Sequence, residues 1–277
     1  MSAPDRQWRI RFVEDLDDEL VDRTAAFFDE YFPGVFGEIC DPELFRWKLG
    51  PSNPAGQGIL AVAVADDDAI AGVMSATMKR ITIGERSVAG SETGDTFTHP
   101  DFRRSGRAAE VAPGTTADHY LNRSVFGRLV DEVSRALADR AVELVYSTPN
   151  NQSRPGYCRR GGYEVAATAS ARSWHCPQPS IFADRLPERI GQVASVAFDA
   201  LRSRPRRRLK TGESMTTISL RRDTPAPIFE TIDRLWRSRP PGGNVVLIQN
   251  GDWVRHRYAL HPSQSYDLHL IGGTDRP

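Results

Sequence analysis

The chain has 277 residues, of which 39% are hydrophobic and 26% charged, enough for one large or two small domains with a sizeable core. Lysine plus arginine and aspartate plus glutamate both number 36, and this zero net charge gives no argument for a nucleic-acid or membrane-surface partner. No apolar run approaches the ~20 residues needed to span a bilayer, and the three scattered cysteines, Cys40, Cys158 and Cys176, argue against a disulfide framework or a metal site. The first residues, Met-Ser-Ala-Pro-Asp-Arg, lack an apolar signal core, so a cytoplasmic location is expected.

Trp8 to Val13 alternates apolar and charged residues and predicts a first strand. Asp15 to Phe32 carries apolar residues near helical spacing and is stopped by Pro33-Gly34. Asp41 can cap a short helix that has proline in its first turn. Ile59–Ala65 and Ala69–Met78 read as a strand pair around the polar turn Asp66-Asp67-Asp68. A second short hairpin is expected around Gly84, from Arg80–Ile83 and Glu85–Ala89, followed by a strand over Ser91–Thr98. The strands to this point form an antiparallel meander.

Phe126–Ala138 is amphipathic, with Leu129, Val130, Val133 and Leu137 on one face, and Val142–Ser147 reads as a short buried strand. Strand, loop, helix and strand make a parallel crossover. The basic stretch Thr96–Ala108 then lies at the carboxyl end of the first parallel strand, where open α/β sheets place ligands. Backbone amides there, with arginines at 103, 104 and 107, suit a phosphate. After the second strand, Pro149 to Gly162 reads as a loop and short helix, with a further strand from Tyr163. Ile181–Arg204 reads as helical, and Arg204–Lys210 as a basic linker.

Two motifs carry a resemblance. Arg103-Arg-Ser-Gly106-Arg-Ala108 fits a Gln/Arg-x-x-Gly-x-Gly/Ala pattern, and Asn150, Ser153, Tyr157 and Gly162-Tyr163 fit an Asn-x-x-Ser…Tyr…Gly-aromatic pattern with one extra residue before the last aromatic. With the antiparallel meander and the parallel crossover, residues 8 to 170 resemble the GCN5-related N-acetyltransferases, the GNAT superfamily. The resemblance implies an α/β fold with a mostly antiparallel sheet and one splayed parallel strand pair. It implies acetyl-CoA as cosubstrate, with its pantetheine arm along the backbone of Phe97, Thr98 and His99. Its pyrophosphate would lie on Arg103, Arg104, Ser105, Gly106, Arg107 and Ala108, with Asn150 and Ser153 also at the cofactor site. An amine would attack the thioester directly, Tyr157 would serve the departing sulfur, and Glu92 or Asp95 would act as base. In a regular strand Glu92 shares a face with Gly94, Thr96 and Thr98, and Asp95 shares the other with Phe97, so only one carboxylate faces the wedge, and a bulge would change which.

The join from loop to helix departs from the family pattern. Removing residues 107–124 restores Arg103-Arg-Ser-Gly-Val-Phe-Gly, so these 18 residues read as an insertion, with His119 and Tyr120 as its notable side chains. The insertion is either a surface excursion or substrate lid, or it displaces the helix start and weakens CoA binding.

The end of the chain repeats its beginning. Thr216–Asp223 alternates, Pro227–Trp236 is helical, and Asn250–Pro262 echoes Pro42–Leu49 with Asn53-Pro54 at an offset of 209, Arg255 matching Arg46. Tyr266–Ile271 then matches the strand at Ile59. The expected organisation is a GNAT-like domain over 1–172, a helical and basic linker over 173–214, and a partial second GNAT-like lobe over 215–277. So small a lobe must pack on the first, pair with another chain as a homodimer, or stay partly disordered. The expected activity is acyl transfer to an amine on a small molecule, an amino sugar or a peptide. The alternative is a non-catalytic GNAT-like binding or assembly module.

Overall fold

Every residue of Ile59–Ala65 is buried, which requires cover on both faces of the strand. The computed structural model, which describes residues 7–16, 19–32, 40–103, 124–166, 213–238 and 245–273, supplies that cover with helices on either side of one six-stranded sheet. The strands run β1 (Trp8–Val13), β2 (Ile59–Ala65), β3 (Ile70–Ile83), β4 (Arg86–Thr98) and β5 (Leu144–Ser147) in spatial order. All neighbours are antiparallel except β4 and β5, which are parallel. This is the mixed sheet with one parallel pair that the GNAT resemblance implied.

One sheet face packs against α1 (Glu19–Tyr31) and α2 (Pro42–Leu49), with Phe28, Phe45 and Leu49 over Leu60, Val62 and Val73. The other packs against α3 (Val125–Asp139), whose Leu129, Val133 and Leu137 cover Ala61, Ala63 and Met74. Burying each large aliphatic or aromatic side chain in these layers contributes roughly 1.5–3 kcal/mol. Helix α2 begins where Asp41 accepts a hydrogen bond from the Glu43 amide at 2.9 Å, and Ser124 caps α3 by accepting from Gly127 at 3.0 Å.

The meander differs from its sequence expectation. Residues 70–98 form two long strands, not four short ones, because Lys79 and Arg80 pair with Gly90 and Ala89 without a break. Nothing between Met78 and Arg80 can turn the chain. Of the strand expected from Tyr163, residues 163–166 are irregular, and the rest lies outside the described residues. The expected helix over 181–204 and the basic linker to Lys210 lie outside the described residues.

Beyond the linker come β6 (Glu213–Leu220), α5 (Ala226–Arg237), β7 (Val245–Leu247), α6 (Gly251–Val254), a π-helical turn (Arg255–Ala259) and β8 (Tyr266–Gly273). The described residues up to 165 and those of 219–267 belong to one compact unit, and 213–218 with 268–273 belong to a second. Within the first unit, β7 pairs with Ile81–Ile83, the part of β3 that runs past β2. The apolar run Val245-Val-Leu-Ile248 behind Gly242-Gly-Asn is a strand signal that the sequence reading left unassigned. β6 and β8 make their own two-stranded sheet. Residues 245–261 thus pack against β3 and α2. Among the described residues no helix is long and apolar enough to cross a membrane.

Candidate active site

A cavity of about 840 Å³ opens between α2, the middle of β4, the loop leading into α4 (Arg154–Arg160) and residues 257–261. Its floor is shaped by a bulge. Val73 pairs with Phe97 but Ser75 pairs with Gly94, so two residues, Asp95 and Thr96, stand opposite Met74 alone. Asp95 takes a positive φ of 44° to make the bend. The register slip carries the Asp95 side chain to the α2 side, where Glu92 already points. The strict alternation expected from the sequence, one carboxylate per face, is therefore overturned, and both line the cavity.

The two carboxylates have different surroundings. Asp95 is nearly buried, forms an ion pair with Lys48 of α2, and accepts a hydrogen bond from the Ser75 hydroxyl at 2.5 Å. Burial alone pushes its carboxyl up, but Lys48 and Ser75 together outweigh that and hold it below the usual aspartate range. Glu92 is about one-third exposed and pairs with Lys79 at 2.9 Å. It also receives the Tyr146 hydroxyl; burial first, then the charge and hydrogen bond of Glu92, push that phenol far above its ordinary value. Glu92 is the more exposed of the two towards the cavity, whereas Asp95 is nearly buried and its Oδ2 takes both Lys48 and Ser75.

Tyr157 of α4 is buried, and its hydroxyl lies 2.7 Å from that of Thr96, on the opposite side of β4 from Lys48. The Thr96 hydroxyl also reaches the Gly94 carbonyl at 3.1 Å. Asn150 and Ser153 build the start of α4: the Asn150 side-chain oxygen accepts from the amides of Gln152 and Ser153 and from the Ser153 hydroxyl at 2.9–3.1 Å. Both residues, with Tyr157, line the cavity.

The residues expected at the cofactor are only partly visible. Arg104, Ser105, Gly106, Arg107 and Ala108, with most of the proposed insertion, lie outside the described residues. Arg103 donates from Nε to the Thr98 carbonyl at 2.9 Å and its guanidinium sits 4.9 Å from the centre of the Phe97 ring, tying down the strand end. His99 donates its backbone N–H to Ala71, so that group faces β3. Its Nδ1 accepts from the Asp101 amide, which leaves Nε2 to carry the proton towards the Tyr31 hydroxyl 2.6 Å away. The backbone of Phe97, Thr98 and His99 is therefore already partly committed.

What remains fits an extended thioester arm. β5 ends at Ser147 while β4 continues to Thr98, and among the described residues no strand pairs with Gly94–Thr98 on the β5 side. At Gly94 a Cβ would meet nothing within 4 Å, so the strand is open there. An acyl-CoA pantetheine arm carries amides that can pair along such an edge.

Four residues of the site went unassigned in the sequence. Trp47 donates from its indole N–H to the His256 carbonyl at 3.0 Å, and His256 donates from Nε2 back to the Trp47 carbonyl at 3.2 Å. Their rings stack at 5.0 Å with planes 8° apart. Burial, chiefly, lowers the His256 pKa and favours the neutral ring. Arg257 and His261 follow in the cavity wall, and Trp47 packs against both. The signal was available: the echo of Arg46-Trp-Lys48 in Arg255-His-Arg257 aligned these residues at the offset of 209, but it read as a repeat and not as a contact.

No protein-family model matches the sequence, and no curated protein does. Similar solved structures include glucosamine-6-phosphate N-acetyltransferase from Arabidopsis thaliana, at 10% identity over 61% of this chain and 99% of that one, with a TM-score of 0.41. A predicted acetyltransferase from Clostridium acetobutylicum, solved with acetyl-CoA, is 13% identical over 60% and 96%, TM-score 0.40. A transcriptional regulator from Bacillus halodurans C-125 is 13% identical over 61% and 100%, TM-score 0.41. The functional reading rests on the geometry of the site itself.

Proposed function

We propose that the cavity is the active site of an acyl-CoA-dependent N-acyltransferase that works by direct attack of an amine. The observation that carries this reading is the β4 bulge, which sets Glu92 and Asp95 on one cavity wall beside the place where the parallel pair ends and Tyr157 reaches Thr96. Acyl-CoA would supply the thioester. Glu92, directly or through a water, takes a proton from the ammonium so that nitrogen can form the new N–C bond. As the C–S bond breaks, the Tyr157 hydroxyl gives its proton to the departing sulfur, and the second proton that the nitrogen sheds on becoming an amide, carried by water, restores it. Asp95 holds Lys48 in place. The acceptor is an amine on a small molecule, amino sugar or peptide.

The segment after the linker is read as a partial second lobe. In support, β6, α5, α6 with its π turn, and β8 follow the order of β1, α1, α2 and β2, with β7 as an added strand between the two helices. The contacts Thr217–His269 and Ser219–Asp267 run antiparallel, as β1 and β2 do.

Calorimetry with acetyl-CoA on the full chain tests the enzyme reading. Saturable binding is expected, and Tyr157→Phe should lower turnover more than affinity. No binding at millimolar ligand would overturn it in favour of a non-catalytic module.

A further inference from the structure

The cavity holds three cations from the described residues, and two are neutralised. Lys48 is paired with Asp95 and Lys79 with Glu92. Arg257 lines the same cavity, is solvent-exposed, and has no carboxylate partner among the described residues; its recorded contact is the Trp47 ring, 5.6 Å from the guanidinium carbon. We propose that Arg257 reads an anionic group, carboxylate or phosphate, on the amine acceptor. This rests on the reading of the cavity as an acyl-transfer site.

Three features besides charge support the assignment. Arg257 stands at the offset of 209 from Lys48, so the two repeats deliver a cation from equivalent positions into one cavity, and only the first brings its own counter-charge. The π turn Arg255–Ala259, closed by the Leu260 amide on the Arg255 carbonyl at 3.0 Å, presents Arg257, and such turns interrupt regular helices where a side chain must be re-aimed. The indole face beneath Arg257 orients the guanidinium while leaving its N–H edges for a planar or tetrahedral anion.

The position also separates this anion from the phosphates of a CoA. Arg257 adjoins Trp47 and His256, and His256 is close enough to Lys79 to feel its charge; Lys79 pairs in register with Gly90. The basic stretch expected to take the pyrophosphate follows Thr98. From Glu92 to Thr98 the strand advances roughly 20 Å. One anionic end of the ternary complex would therefore lie beyond β4, and the other on the repeat-derived wall.

The test uses the full chain and two matched probe pairs, glucosamine 6-phosphate against glucosamine and triglycine against triglycinamide, by calorimetry and, with acetyl-CoA, by transfer assay. Wild type should prefer the anionic member of at least one pair by about tenfold, the yield of one charge-assisted contact. The pair that responds identifies phosphate or carboxylate. Arg257→Gln should abolish that preference while leaving acetyl-CoA affinity and the neutral amine unchanged, and Arg257→Lys should restore part of it. Equal binding of both members of both pairs by wild type, or a preference that survives Arg257→Gln, overturns the proposal. Anion preference that Arg257→Gln abolishes, without acetyl-CoA binding, would sink the enzyme reading and the acceptor with it, which overturns the proposal as stated and leaves only an anion contact at Arg257.

Discussion

The turn at 41–49 and its counterpart at 250–259 start alike and end differently. Asp41 and Asn250, at the common offset of 209, each cap a helix by accepting a backbone amide two or three residues on. Trp47 and His256, also 209 apart, bond reciprocally through side chain and carbonyl. From there they diverge. The first remains α-helical to Leu49 and its Lys48 is locked onto Asp95. The second opens into a π turn and its Arg257 stays unpaired among the described residues. One helix start thus carries a paired cation, Lys48, and the other, among the described residues, an unpaired one, Arg257. What separates the roles is the carboxylate at 95, put on that face by the β4 bulge.

Breaking the contact between the copies should have the largest effect. Trp47→Ala removes a buried indole, its stack on His256 and one of the reciprocal hydrogen bonds. A loss of about 3–5 kcal/mol is expected in denaturant unfolding. A loss below 1 kcal/mol would mean that residues 245–261 do not depend on this contact.

Removing the counter-charge should make the first turn resemble the second. Asn tolerates the positive φ at position 95, so Asp95→Asn tests charge with little backbone cost. Lys48 then stays partly buried without its partner, and a loss of about 2–3 kcal/mol is expected, below that for a fully buried pair because both side chains keep some exposure. Because the Asp95 pKa is lowered in the fold, its contribution is present above the ordinary aspartate value of 3.8 and fades only as pH falls through the lower folded value. Wild type and Asp95→Asn should therefore converge in stability only at strongly acidic pH.

A smaller effect comes from His256. Its pKa is lowered in the fold, so the unfolded chain binds more protons between the folded value and the ordinary 6.5. That contribution to stability is full above pH 6.5 and declines below it. Thermal unfolding of wild type should lose more between pH 7 and 5 than that of His256→Gln, and equal losses would show that the stacked ring does not gate the contact.

The order of strands and helices was legible because hydrophobic period and turn residues are local properties. Asp41, Ile59–Ala65 and Phe126–Ala138 all announced themselves this way. The bulge was only half legible: Gly94 inside a strand allows one, but the mismatch of pairing between β3 and β4 that fixes its place arises on folding. For β7 the run Val245-Val-Leu-Ile248 was there to read, and only its partner, the overhang of β3, needed the fold. Glu92, Asp95, Tyr157, Asn150 and Ser153 were recognised and do share the cavity. Arg257 and His261 were not, because a wall contributed from 209 residues away exists only after folding.

The most direct measurement is acetyl-CoA-dependent turnover of Glu92→Gln with an accepted amine at saturation, alongside acetyl-CoA affinity by calorimetry. Loss of the base should lower kcat by about 10²-fold or more while affinity stays within about twofold of wild type, with the deficit shrinking at higher pH as more amine deprotonates unaided. Turnover equal to wild type would remove Glu92 from the chemistry and contradict the assignment of this cavity as the site of transfer.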